Sequence, residues 1–249
     1  MADPFPLHLP AEARRLFQSE SLLRRIAQTG NLSGDSRLLE LHGSLGGLAL
    51  CRALGCSITV VEPDTKALEA LKERARLAFI ADRVTWVHQP LERVSFEERA
   101  FDCILSLGRV VGPPQAMARR FRPWLDEKGR LALTWVMAVG RSPAKATLDA
   151  WATRLGQPIV SPRDTLQSVE GEGFEPELVE SLGDPELDEF YRDVEAALAK
   201  QADSSEAKAV KAEIALHRAQ QGHSSATYGV VVARRKEPGE KPPLSRDGG

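Results

Sequence analysis

Short apolar runs alternate with amphipathic stretches from residue 37 to about residue 137, and the alternation predicts strands separated by helices. Arg37 to Leu41, Ile58 to Glu62, Val84 to His88, Phe101 to Leu105 and Arg130 to Val136 are strand-length and apolar almost throughout. Strands of that kind are covered on both faces, as in a parallel sheet. Between them, Gly46 to Leu54, Thr65 to about Phe79 and Pro114 to Leu125 carry apolar residues at helical spacing. In the second of these, Leu68, Leu71, Ala75 and Ala78 or Phe79 fall on one face. Glu127-Lys128-Gly129 reads as the turn before the fifth strand.

Upstream, Ala11 to Thr29 predicts a helix anchored by Leu16, Leu22, Leu23 and Ile26 and stopped at Gly30. Residues 1–10 hold three prolines and read as an irregular arm. Past Gly140 the pattern changes. Ala144 to Leu155 and Pro162 to Val169 read as helices, Phe174 to Glu180 as a sixth strand, then Pro185 to Lys200 and Ser204 to Gln221 as a helical pair. The second of the pair carries Glu206, Lys208, Lys211 and Glu213, charges that suit an exposed side. Ala226 to Arg234 is a last apolar strand, and residues 236–249 read as a disordered tail.

The expected architecture is α/β: a doubly wound, seven-stranded, mostly parallel sheet whose last strand is antiparallel, with a helical cap inserted before it. One domain is expected over 1–235, with an N-terminal arm and helix at 1–30 and cap elements at 141–222 around the sixth strand. A chain of 249 residues suits one core with such an insertion.

Composition narrows the partners. A formal net charge of −2 supplies no field to hold nucleic acid or a membrane surface. The basic run Arg119, Arg120, Arg122 reads as a solvated helix face beside Met117, Phe121 and Trp124. Cys51, Cys56 and Cys103 have neither paired spacing nor histidines in register, so no disulfide or metal site is expected. There is no signal-like N-terminus and no apolar stretch near the ~20 residues that span a bilayer, so a cytoplasmic protein is expected.

The chemistry concentrates in Leu38 to Asp64. A strand ends at Glu40-Leu41, a glycine-bearing turn runs through His42 to Gly47 into a helix, and a second strand stops at the acid Glu62. Strand, turn, helix and strand with a terminal acid is the plan of a nucleotide-type site. Glycines let backbone approach a ligand, helix amides point at it, and the acid accepts from ribose hydroxyls. A dinucleotide fingerprint needs Gly-x-Gly-x-x-Gly, and Ser44-Leu45 after Gly43 breaks that spacing.

These letters resemble the class I S-adenosylmethionine-dependent methyltransferases, whose first motif is an acid followed by x-Gly-x-Gly-x-Gly. The acid falls on Glu40 and the glycine places on His42, Ser44 and Gly46, of which only the last is kept. FDCILSLGRVV, RPWLDEKGRLALTW and EGEGFEPELVES resemble later motifs of the family in order. The resemblance implies S-adenosylmethionine as cofactor and methyl transfer to an unidentified acceptor, most simply a small molecule. It implies Glu40 near the cofactor's amino-acid portion and backbone access at His42, Gly43, Gly46 and Gly47. Glu62, followed by Pro63, would take the ribose, Gln89 and Leu91 would flank adenine, and Ser106 with Leu107 would line the floor below the methyl group. It assigns no catalytic residue; His88, at a strand end, is a candidate general base or a local hydrogen-bonder, Arg109 a candidate contact for a substrate carboxylate or a surface arginine, and Trp151, Tyr191, His217 and His223 are candidate acceptor contacts from the cap. Two other readings stay open. One is a catalytically degenerate scaffold whose cap meets a protein partner; the other is a nicotinamide-dependent oxidoreductase.

Overall fold

A computed structural model describes residues 19–108, 110–199, 205–220 and 224–237. Expectations placed on residues 1–18, on Arg109, on His223 and on the tail beyond residue 237 lie outside the described residues. Seven strands form one sheet in the order β3-β2-β1-β4-β5-β7-β6. They are β1 (Arg37–Leu41), β2 (Ser57–Val61), β3 (Val84–Val87), β4 (Phe101–Ser106), β5 (Leu125–Ala138), β6 (Phe174–Ser181) and β7 (Ala226–Arg235). Strands β1 to β5 pair in parallel, and β7 is antiparallel to both β5 and β6. This is the doubly wound sheet with a reversed last strand that the sequence predicts. The carboxyl ends of β1, β2, β4, β5 and β6 and the start of β7 share one edge, where open α/β sheets take ligands.

Among the described residues, eight α-helices flank the sheet: α1 (Glu20–Thr29), α2 (Leu45–Leu54), α3 (Thr65–Leu77), α4 (Pro114–Phe121), α5 (Lys145–Leu155), α6 (Pro162–Glu170), α7 (Asp184–Leu198) and α8 (Ser205–Ala219). Local chemistry fixes the two that frame the edge. Ser44 caps α2, its Oγ accepting from Gly46 N–H at 3.1 Å, and Gly55 ends the helix at φ 72° with its N–H on the Cys51 carbonyl. The Asp64 carboxylate accepts from Ala67 N–H at 2.7 Å to start α3 directly after Glu62-Pro63. In α1, Leu22, Leu23 and Ile26 are buried, each contributing about 1.5 to 3 kcal/mol relative to exposure.

Three expectations are corrected. Strand β5 absorbs Glu127-Lys128-Gly129: Phe101 pairs with Leu125 and Cys103 with Arg130, so the stretch is an irregularity inside a longer strand. Phe79 leaves the apolar face of α3, at φ 58° and 92% exposed, because the chain reverses there and Ile80 is the side chain that enters the core. Glu213 lies inside, not on the exposed side of α8, with 6% of its surface exposed. Its Oε1 accepts from Tyr191 at 2.6 Å and Tyr228 at 2.8 Å, and its Oε2 pairs with Arg154. Those four residues join α5, α7, α8 and β7 under the cap.

Candidate functional site

At the shared edge, β1 delivers Glu40 and the turn that follows. His42 N–H donates to the Val61 carbonyl at 2.8 Å, stitching the turn to the end of β2. His42 adopts φ 53°, the left-handed region that a glycine fills without strain. The backbone therefore keeps the turn that the missing glycine would have made, at a cost of about 1 kcal/mol.

Glu40 is wholly buried. Neither of its carboxylate oxygens has a hydrogen-bond partner. A Cβ on Gly47 would stand 2.2 Å from Glu40 Oε2, so the carboxylate lies directly beneath the first turn of α2. Burial pushes the Glu40 carboxyl up to about 8, while the Ser44 hydroxyl and the nearby amides of Ser44, Leu107 and Gly47 hold it back. An ionised carboxylate in that position needs a cation; an un-ionised one needs none.

Glu62 is also buried. Its Oε1 accepts from Asp64 N–H at 2.9 Å, and its Oε2 faces the turn, 3.5 Å from where a Cβ on Gly43 would be. Leu71 Cδ1 packs against Gly43, at 2.1 Å from the same point, and Leu107 and Leu23 approach Gly46. The glycines at 43 and 47 are thus required first by close side-chain packing. Ser106 and Leu107, both fully buried, continue β4 beside the turn. Leu23 brings α1 over it, a contact that periodicity alone does not reveal.

The remaining candidates are spread out. Gln89 is exposed past the end of the edge strand β3, beyond Glu62 from the turn, whereas the Leu91 side chain enters the core at 3% exposure. Pro63 is half-buried between Glu62 and the cap of α3. His88 is tied locally: Nε2 lies 3.1 Å from the Pro63 carbonyl and 3.3 Å from Thr65 Oγ1, so its proton serves the start of α3. Tyr191 is held in the Glu213 network, and Trp151 packs edge-on against Tyr228 at 5.6 Å. The basic run is likewise engaged, Arg119 with Glu172 and Arg120 with the Leu91 carbonyl.

Along the same edge, on the far side of β4, a cavity of about 430 Å³ opens between Val139–Ser142, Ser181–Asp184 and Ser224–Thr227. At its wall Ser224 donates to Asp184 and stands 3.3 Å from His217 Nδ1, while His217 Nε2 lies 2.7 Å from Asp188. A carboxylate only accepts, so Nε2 carries a proton. Of this group the sequence marked only His217; the hydroxyls before β7 carried no periodic signal.

Among the described residues no three or more His, Cys, Asp or Glu side chains are grouped to hold a metal, and no helix is long and apolar enough to cross a membrane. Residues 42–133 match the family described as "Methyltransferase domain". No curated protein sequence matches the chain. Among solved structures, it is similar to an S-adenosylmethionine-dependent methyltransferase from Geobacter sulfurreducens in complex with S-adenosyl-L-homocysteine. That likeness has 14% identity over 95% of this chain and 100% of the other, at a TM-score of 0.73. A second such enzyme, from Thiobacillus denitrificans and with the same ligand, is 16% identical over 91% and 96% at 0.71. A geranyl diphosphate methyltransferase in complex with S-adenosylmethionine is 18% identical over 86% and 85% at 0.59.

Proposed function

We propose that this chain, whose residues 42–133 match a methyltransferase-domain family and whose sheet has the order β3-β2-β1-β4-β5-β7-β6, is a class I S-adenosylmethionine-dependent methyltransferase that methylates a small molecule held between the strand edge and the cap. The observation that carries this reading is the pair of buried acids at the ends of β1 and β2, Glu40 without a hydrogen-bond partner and Glu62 with one oxygen towards the turn. A cofactor with an ammonium group and two ribose hydroxyls suits that pair. S-adenosylmethionine supplies a methyl group already activated on a sulfonium.

The protein's own part is binding, orientation and exclusion of water. Glu40 would meet the amino-acid end of the cofactor. His42, Gly43 and Gly46 would line its path with backbone, and Glu62 beside Pro63 would accept from the ribose. Gln89 and Leu91 would flank the adenine, the former by hydrogen bonding and the latter from within the core. Ser106 and Leu107 would floor the methyl position, and Leu23 on α1 would cover it. Methyl transfer from a sulfonium gains much of its rate from alignment and dryness, so a side-chain base is needed only where the acceptor arrives protonated. Residues 1–235 are taken as one methyltransferase-like unit working in the cytoplasm.

The polar cavity between β5, β6 and α7 is the natural place for the acceptor, since it shares the edge and is walled by hydroxyls and Asp184. The geranyl diphosphate methyltransferase gives a precedent for a small acceptor on this fold. Titration with S-adenosylhomocysteine by calorimetry tests the cofactor half of the reading. A saturable heat is expected; no heat at millimolar ligand would return the chain to the scaffold alternative, with the cap as its docking face.

A further inference from the structure

The Glu40 side chain is fully buried in the core, both oxygens lack a hydrogen-bond partner, and Gly47 closes over it from α2. A carboxylate ion in such a place would have a hydroxyl and three amides nearby but no hydrogen bond in full geometry and no cation, and burial outweighs those dipoles in favour of the acid form. We propose that Glu40 exchanges its proton for the cofactor's ammonium group, standing as the neutral acid in the free chain and ionising as the cofactor seats, so that cofactor uptake releases a proton. This rests on the methyltransferase reading and adds the charge state on which its affinity depends.

The step balances. The Glu40 O–H bond breaks, its proton passes to buffer, and the carboxylate left behind neutralises a cation that arrives with the ligand. No redox partner is involved. The groups facing Glu40 do not share the titration. They are the Ser44 hydroxyl, the amides of Ser44, Gly47 and Leu107, and from β4 the Cys103 thiol, which its own burial pushes well up and keeps neutral. Ile58 approaches from β2 beside Gly47 as an apolar side chain.

Calorimetric titration of the full chain with S-adenosylhomocysteine, in buffers of different ionisation enthalpy, counts the protons released. With the carboxyl at about 8, about nine-tenths of a proton should leave at pH 7, and the count should fall towards zero well above pH 8. Below pH 8 the dissociation constant should fall up to about tenfold per pH unit. Glu40→Gln should bind without proton release, and adenosine, which lacks the amino-acid portion, should release none from the wild type. Binding with a zero proton count in the wild type, or an unchanged count in Glu40→Gln, overturns the proposal while leaving the methyltransferase reading in place. No binding of S-adenosylhomocysteine at all overturns both. If Glu40→Gln fails to fold, the carboxyl resonance of Glu40 in the ¹³C-labelled wild type decides. It must be that of the protonated acid at pH 7 in the free chain and of the ion in the complex.

Discussion

Replacing Glu40 by Gln should change how stability depends on pH. In the folded chain burial pushes this carboxyl up to about 8, from an ordinary value of 4.5. Between those values the folded state holds a proton that the unfolded chain has lost, so stability falls as pH rises. The contribution is fully present below 4.5 and is lost through about 8. Each pH unit within the window removes about 1.4 kcal/mol, up to about 5 kcal/mol across it. That is comparable to the whole stability of a small domain, about 5 to 15 kcal/mol. Glutamine fills nearly the same volume without titrating. All other ionisable groups are common to both proteins and cancel in the difference. Urea denaturation followed through the four tryptophans should show the wild type losing ground to Glu40→Gln by about 2.7 kcal/mol between about pH 5.5 and 7.5. A difference that stays flat across that window refutes the reasoning, because it means the acid is already ionised in the folded chain.

Three further outcomes test the surroundings. Glu62→Ala should weaken S-adenosylhomocysteine binding by about 1 to 3 kcal/mol, the value of hydrogen bonds to a charged acceptor; an unchanged dissociation constant excludes Glu62 as the ribose contact. Gly47→Ala forces a Cβ to within 2.2 Å of Glu40 Oε2, and the overpacking should cost about 1 to 3 kcal/mol in denaturant melts, whereas an unaltered midpoint would place Glu40 elsewhere. Glu213→Ala strands Arg154 and two tyrosine hydroxyls under the cap and should cost about 3 to 5 kcal/mol; a loss below about 1 kcal/mol, the scale of a surface ion pair, would mean the network is solvated.

The strand order was legible because apolar runs of strand length separated by helical periods leave few topologies, and the closing antiparallel strand announced itself in Ala226 to Arg234. Length along β5 was not. Lys128-Gly129 carries turn chemistry, but Phe101 already pairs with Leu125 on the near side of it, and pairing across a gap is a property of two segments, not one. Glu213 misled for a similar reason. Its neighbours Lys208 and Lys211 are exposed, and only the partners Tyr191, Tyr228 and Arg154, far off in sequence, draw it inward. The positions of Glu40 and Glu62 at strand ends were readable, though not their complete burial. The left-handed backbone at position 42 was hinted at only by the motif's glycine place, not by histidine itself, and of the Ser224–His217–Asp188 chain only His217 was singled out, because its members sit on three different segments.

The single carboxylate of Glu213 ties three helices to β7, each through a different side chain. A shared knot of this sort does not loosen one strand of rope at a time. Helices α5, α7 and α8 should therefore detach from the sheet together, exchanging their amide hydrogens with one common opening energy, and any widening of the cavity beside Asp184 that requires α7 to swing must carry its two companions with it.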